Sequence, residues 1–255
     1  MSEVLLQSLE AGVLTLTLNR PDKRNALDST LVAALSEALH RATSGPDVRV
    51  VLLRGAGKDF SAGADLAELE RTLDDGPDAH LENANRLGGL FLALRAHPVP
   101  VIAAVQGRAL AGGCGLATAC DLVVASAGAQ FGYPEVNLGF VPAMVMAILR
   151  RKVGEAAAFD LAVLGERIGA ERAHALGLVS RVFPDEAFDD AVVELARGLA
   201  AKPTDAVRTT KALLYDQDGR SFAEGIALGA QVNARARSTD SFKAGVRAFL
   251  AGQRR

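Results

Sequence analysis

The stretch Val101-Ile-Ala-Ala-Val-Gln-Gly-Arg-Ala-Leu-Ala-Gly-Gly-Cys-Gly-Leu-Ala-Thr-Ala-Cys-Asp121 constrains the fold more than any other part of the chain. An apolar run of β-type residues breaks into glycines, and these open a helix made of small side chains. Gly107 and the pair Gly112-Gly113 let backbone approach whatever is bound or packed there, which a Cβ would prevent. A helix beginning near Gly113 leaves its first amide hydrogens unpaired. With the positive end of the helix dipole behind them, these donors suit an oxygen that gains negative charge. Close packing of helix on strand is a second reading of the same residues.

Around this stretch the pattern alternates between strand and helix. Val4–Leu9 and Val13–Leu18 read as a hairpin turning at Ala11-Gly12, the second strand setting Leu14, Leu16 and Leu18 against Thr15 and Thr17. A turn-rich basic loop, Asn19–Leu27, leads to a helix with Asp28 as N-cap and Leu31, Leu35 and Leu39 on one face. Val48–Leu53 is an apolar strand, followed by the small-residue turn Asp59–Leu66. Residues 71–85 are polar and read as a mobile loop or short helix, and Leu87, Leu90, Phe91 and Leu94 mark a helix face that stops before Pro98. Beyond Asp121–Ala125, helices are expected over 142–151, 154–164 and from Ala170 to Gly177, then a strand over Leu178–Phe183. From Asp185 onward the pattern is helical throughout. The change of pattern near residue 195 divides a core, 1–195, from a C-terminal helical subdomain, 196–255.

At 255 residues the chain can bury a substantial core. A net charge of −2 gives no general pull toward nucleic acid or anionic lipid, and no apolar run is long enough to cross a bilayer. No nucleic acid, membrane or metal partner is therefore expected, and the start lacks a secretory pattern, so a cytoplasmic protein is. Cys114 and Cys120 read as small core residues, and the four histidines have no ligand spacing.

Two strands each end in an Ala/Gly turn, at Ala62-Gly63-Ala64 and at Ala111-Gly112-Gly113. If parallel strands bring the turns together, two backbone amides can converge on one oxygen, as an enolate or tetrahedral oxyanion requires. Asp65 reads as a helix N-cap fixing the first turn. Asn19-Arg-Pro-x-x-x-Asn-Ala-Leu27, Phe60-Ser-Ala-Gly-Ala-Asp-Leu66, Val105-x-Gly-x-Ala-x-Ala-Gly-Gly-Cys114, Phe131-x-x-Pro-Glu-x-x-Leu-Gly139 and Gly165-x-x-Ile-x-Ala-x-x-Ala-x-x-x-Gly-Leu-Val179 together resemble the crotonase (enoyl-CoA hydratase/isomerase) superfamily.

The resemblance implies an α/β fold, a crotonase-like spiral of ββα units with a helical C-terminal subdomain, assembled as a homotrimer or homohexamer. It implies an acyl-CoA substrate and no separate cofactor, coenzyme A being part of the thioester. Matched residue by residue, Ala64 and Gly112 correspond to the two oxyanion donors and Ala62 to a wall of the adenine pocket. Lys23, Arg24 and Ala26 border the CoA moiety, and Leu66 lies near the pantetheine and acyl chain. Glu135 corresponds to the second of the two glutamates that hydratases carry, whereas Gly115 stands at the first. Burial of Glu135 would raise its pKa and make it a better base near neutrality. One carboxylate can shuttle a proton between C2 and C4, which favours double-bond isomerisation. Atypical hydration stays open through a water in the space beside Gly115, and so does an acyl-CoA-binding role with weak catalysis. Leu138, Phe140, Val141 and Met144 read as an apolar chamber or as core, and Lys211, Lys243 and Arg247 as candidates for the CoA phosphates.

Overall fold

In a computed structural model, which describes residues 3–252, the chain opens with β1 (Leu5–Glu10) and β2 (Val13–Leu18). They pair antiparallel, and Ala11 and Gly12 between them both have positive φ, the conformation of a tight hairpin turn. Helix α1 (Ser29–Thr43) follows, and the Asp28 carboxylate caps it by accepting from Leu31 N at 2.8 Å. Next come β3 (Val50–Gly55), α2 (Leu66–Arg71) and α3 (Pro77–Ala96), then β4 (Val101–Val105), β5 (Arg108–Leu110) and α4 (Gly112–Ala119). A third round supplies β6 (Leu122–Ser126), β7 (Gln130–Gly132), α5 (Met146–Val153) and α6 (Glu155–Leu164). The chain ends with β8 (Arg167–Gly169), α7 (Ala170–Ala175), β9 (Arg181–Phe183), α8 (Phe188–Ala200), α9 (Thr204–Tyr215), α10 (Phe222–Arg237) and α11 (Asp240–Gly252).

The large sheet runs β1-β2-β3-β4-β6-β9 and is parallel from β2 onward. A second sheet, β5-β7-β8, is extended by single bridges from Ala109 to Ser61 and from Ala64 to Leu27. Successive rounds of chain thus give a strand to the large sheet and a short stretch to the second one, which is the expected spiral of ββα units. Strands β3 and β4 are apolar on both faces because both are covered. Val51, Leu53, Val101 and Ala103 pack toward α1, α3 and α4, while Val50, Leu52, Ile102 and Ala104 pack against Phe188, Val192 and Ala196 of α8. Position 195 falls inside α8, which lies on the sheet. No helix among the described residues is long and apolar enough to cross a membrane.

Several boundaries move. Residues 71–85 are not a mobile loop: α3 begins at Pro77 and runs unbroken to Ala96. Its first turns face solvent, so they carry no apolar stripe to read, and Pro77 at the first helical position is their only signal. Of the strand expected over Leu178–Phe183, only Arg181–Phe183 pairs, and the helix expected from Pro142 starts at Met146. Strands β5 and β7 are too short for alternation to show.

An ion pair ties the loop after β3 to the start of β5. Arg108 forks onto Asp59 through Nε (2.8 Å) and a terminal nitrogen (2.7 Å), and its backbone N–H donates to the same carboxylate at 3.0 Å. The guanidinium holds the Asp59 carboxyl below its ordinary range. A lowered carboxyl pKa contributes stability above the unfolded value, and that stability is lost as pH falls through the folded one. Asp59→Asn is expected to cost about 2 kcal/mol at neutral pH in chemical denaturation, with the difference from wild type shrinking on acidification.

Candidate active site

The first loop is tied down from within. Arg24 and Asn25 both take left-handed conformations (φ 53° each), which asparagine tolerates better than most residues. The fully buried Asn25 side chain accepts from Arg20 N (2.9 Å) and donates to Ala56 O (2.9 Å) and Asp59 O (2.8 Å). Ala26 is buried under this loop, whereas Lys23 and Arg24 stay exposed at its rim. The Arg20 guanidinium contacts Asp65 Oδ2 (2.8 Å) and Asp28 Oδ2 (3.0 Å) and donates to Ala26 O.

Asp65 caps α2 as expected, accepting from Ala67 N (3.0 Å) and Glu68 N (3.3 Å), and the hydrogen bond from Arg20 lowers its pKa. Just before it, Leu27 N–H donates to Gly63 O (2.7 Å) and Asp65 N–H donates to Leu27 O (3.1 Å). In a parallel bridge the residue between two such bonds turns its own N–H the other way. That residue is Ala64, whose amide therefore points away from Leu27. Ala62 is half-buried and donates to Arg24 O at 3.0 Å, and Leu66 is exposed beside the turn.

The Ala111–Gly113 turn meets the Ala62–Ala64 turn. Ala111 enters α4 at φ 48°, ψ −129°, a strained conformation for a residue with a Cβ, and no side chain caps the helix. A Cβ on Gly63, itself at φ +97°, would fall 2.8 Å from both Ala111 Cβ and Leu110 O and 3.4 Å from Gly112 N. Bare backbone at Gly63 is thus what lets the turns abut. A Cβ on Gly113 would fall 2.5 Å from Ser61 O, so α4 also starts flush against the bridge residue just before the Ala62–Ala64 turn. Among the described residues neither Ala64 N–H nor Gly112 N–H has an acceptor. Both residues line one cleft of about 150 Å³, with Leu27, Leu69, Arg86 and Leu87 among its other walls.

Glu135 sits on a single 3₁₀ turn, Pro134–Leu138, which follows β7. The residue is half-buried, and its Oε2 is buried without a hydrogen-bond partner among the described residues. Burial holds the carboxyl above the usual glutamate range, opposed in part by a hydrogen bond from its own backbone N–H. A carboxylate that is poorly solvated and has a free oxygen is suited to taking a proton from a bound molecule.

Three expectations change here. The space beside Gly115 is filled: a Cβ there would lie 3.0 Å from Phe91 Cζ and 3.5 Å from Val145 Cγ2. Lys211 is buried, its Nζ donating to Asp121 Oδ2 (2.7 Å), Val99 O (3.1 Å) and Leu94 O (3.2 Å), so it joins α9 to the sheet and is closed to a phosphate. Leu138, Phe140 and Val141 are neither core nor an enclosed chamber in the single chain, because all three are exposed. A larger, polar cavity of about 680 Å³ lies on the α8 face and contains none of the expected site residues. Its Arg54 is paired with Asp189, and its Asp185 accepts from Gly128 N.

The profile of the enoyl-CoA hydratase/isomerase family matches residues 8–254. A Thermus thermophilus relative, named provisionally as an enoyl-CoA hydratase, is 42% identical over 246 residues (96% of this chain and 97% of that one). The 2,3-dehydroadipyl-CoA hydratase of Escherichia coli is 37% identical over 98% of this chain and 96% of its own, and the 1,2-epoxyphenylacetyl-CoA isomerase of the same organism is 34% identical over 98% and 97%. A crystal structure of an enoyl-CoA hydratase from Mycobacterium smegmatis superposes with a TM-score of 0.94 at 38% identity, covering 98% of this chain and 97% of that one.

Proposed function

The chain belongs to the enoyl-CoA hydratase/isomerase family, and from that premise we propose that it moves a proton at an enoyl-CoA thioester, with Glu135 as the sole acid/base. The observation that carries this reading is the meeting of the two turns, which leaves the Ala64 and Gly112 amides unpaired on one cleft. Bound to the thioester oxygen, they make the α and γ protons easier to remove, because the charge released rests on that oxygen. Glu135 takes a proton at one carbon and returns it at the other, so a double bond shifts from position 3 to position 2 with no change in mass. Lys23, Arg24, Ala26 and Ala62 border the CoA moiety, and Leu66 the pantetheine. The exposed apolar residues of α10 and α11, Phe222, Ile226 and Phe249 among them, support assembly as a homotrimer or homohexamer.

The test is to supply 2-enoyl-CoA and 3-enoyl-CoA thioesters in heavy water and follow product mass. Isomerisation with deuterium uptake at C2 or C4 is the expected result, and neither turnover nor exchange with either thioester would overturn the proposal.

Arg20 is expected to act through the turn it braces. Arg20→Met frees Asp65 from its guanidinium and loosens the Ala64 amide, lowering kcat by roughly ten-fold, less than the about 100-fold that a 1 Å misplacement can cost. KM should change less than kcat, since Arg20 itself does not line the cleft and reaches it only through Asp28 and Asp65.

A further inference from the structure

Two rungs join α3 to α4. On the first, a Cβ at Gly112 would lie 3.8 Å from Leu87 Cδ2, and both residues line the cleft. On the second, one helical turn further along, a Cβ at Gly115 would lie 3.0 Å from Phe91 Cζ. Phe91 and Val145 are both buried. A Cβ at Gly88, on the same helix, would lie 3.3 Å from Met144 Sδ, and Met144 packs against the buried cluster that holds Phe91 and Val145.

Adding water to an enoyl thioester requires a water molecule held beside C3, its oxygen bonding to that carbon while a proton goes to C2. Such a water needs about 30 Å³ and two to four polar partners. At the Gly115 Cβ position the three nearest atoms, Phe91 Cζ and Cε2 and Val145 Cγ2, are all apolar and leave no gap for a water, and the nearby Thr118 hydroxyl is already spent on the Gly115 carbonyl at 3.0 Å. We infer that Phe91 excludes water from the site: its ring stands against Gly115, where a water and a side chain holding it would need room, so the site moves protons and does not hydrate. This rests on the reading of Glu135 and the two amides given above.

A four-protein cycle tests the inference, comparing wild type, Phe91→Ala, Gly115→Glu and the double variant on 2-enoyl-CoA and 3-enoyl-CoA in heavy-oxygen water. Wild type should shift the double bond of 3-enoyl-CoA without incorporating the label. Gly115→Glu alone should add no water and melt at a lower temperature, because the new side chain meets the ring. Phe91→Ala alone should stay within a few-fold of wild type in hydration, since the space it opens gains no carboxylate and faces the apolar Val145 methyl. The double variant, with both space and a carboxylate, should hydrate 2-enoyl-CoA about ten-fold or more faster than wild type. Should the double variant fail to fold, Phe91→Leu with Gly115→Asp is scored by the same criteria. A folded double variant that isomerises yet adds no water overturns the inference, and so does a wild type that hydrates faster than it isomerises. Glu135→Gln, run alongside, separates the two levels. Wild-type isomerisation in that variant would sink the base assignment and this inference together, whereas its loss beside a dry double variant sinks only the role of Phe91.

Discussion

Glu135→Gln is expected to lower isomerisation by about 100- to 10,000-fold while leaving acyl-CoA affinity within a few-fold and making the protein more resistant to denaturation at neutral pH. The first effect follows because no second acid/base replaces the carboxylate: residue 115 is a glycine covered by Phe91. The second follows from the raised pKa. A carboxyl whose folded pKa lies above its unfolded value contributes stability when protonated, below the unfolded value, and that contribution is lost as pH rises through the folded value. Ionising the carboxyl above its folded pKa thus places a charge on a half-buried group with an unpartnered oxygen, a cost that glutamine, neutral at every pH, does not carry. The stability curves of the two proteins should converge on acidification. In the wild type, kcat should fall on the acid side through a limb above the ordinary glutamate range, because only the ionised carboxylate is a base. A variant that gains stability but keeps turnover would show Glu135 to be strained without being used.

The sequence discloses this site unevenly, for physical reasons. Glu135 and the two small-residue turns stand out because glycine and carboxylate carry their chemistry locally, in backbone freedom and in charge. The brace around the turns does not, since Arg20 meets Asp65 at a separation of 45 residues and nothing in the loop says which carboxylate its side chain will find. Asn25 is similar: beside Pro21 it reads as turn material, and only the fold brings Ala56 and Asp59 carbonyls to its amide. Phe91 shows a related limit. Its periodicity says that it faces inward, as it does, but not that the inward neighbour is Gly115. Lys211 misleads in the opposite direction, because a lysine in an amphipathic helix suggests solvent or phosphate. Its burial depends on Asp121 and on two carbonyls distant in sequence, one from α3 and one from the loop that follows it.

Gly63→Ala tests the joint between the turns, and a loss in kcat on the order of 100-fold is expected from it. The added methyl would sit 2.8 Å from Ala111 Cβ and from Leu110 O, whereas carbon atoms rest at about 3.5–4.0 Å. The Ala62–Ala64 turn must therefore recede from α4 by roughly 1 Å, and the Ala64 and Gly112 amides can no longer reach one oxygen. Alanine at φ +97° also strains the backbone, so a stability loss of about 1–3 kcal/mol accompanies the change. Gly219→Ala separates the two effects. Gly219 has φ +76° but nothing within 4 Å of its Cβ direction, and it lies between α9 and α10, so it imposes comparable strain without a collision. The control should lose stability and keep kcat; Gly63→Ala should lose both, with KM for the CoA thioester changed far less than kcat. A folded Gly63→Ala protein that turns over as fast as the Gly219→Ala control would mean that the two amides do not share an oxygen.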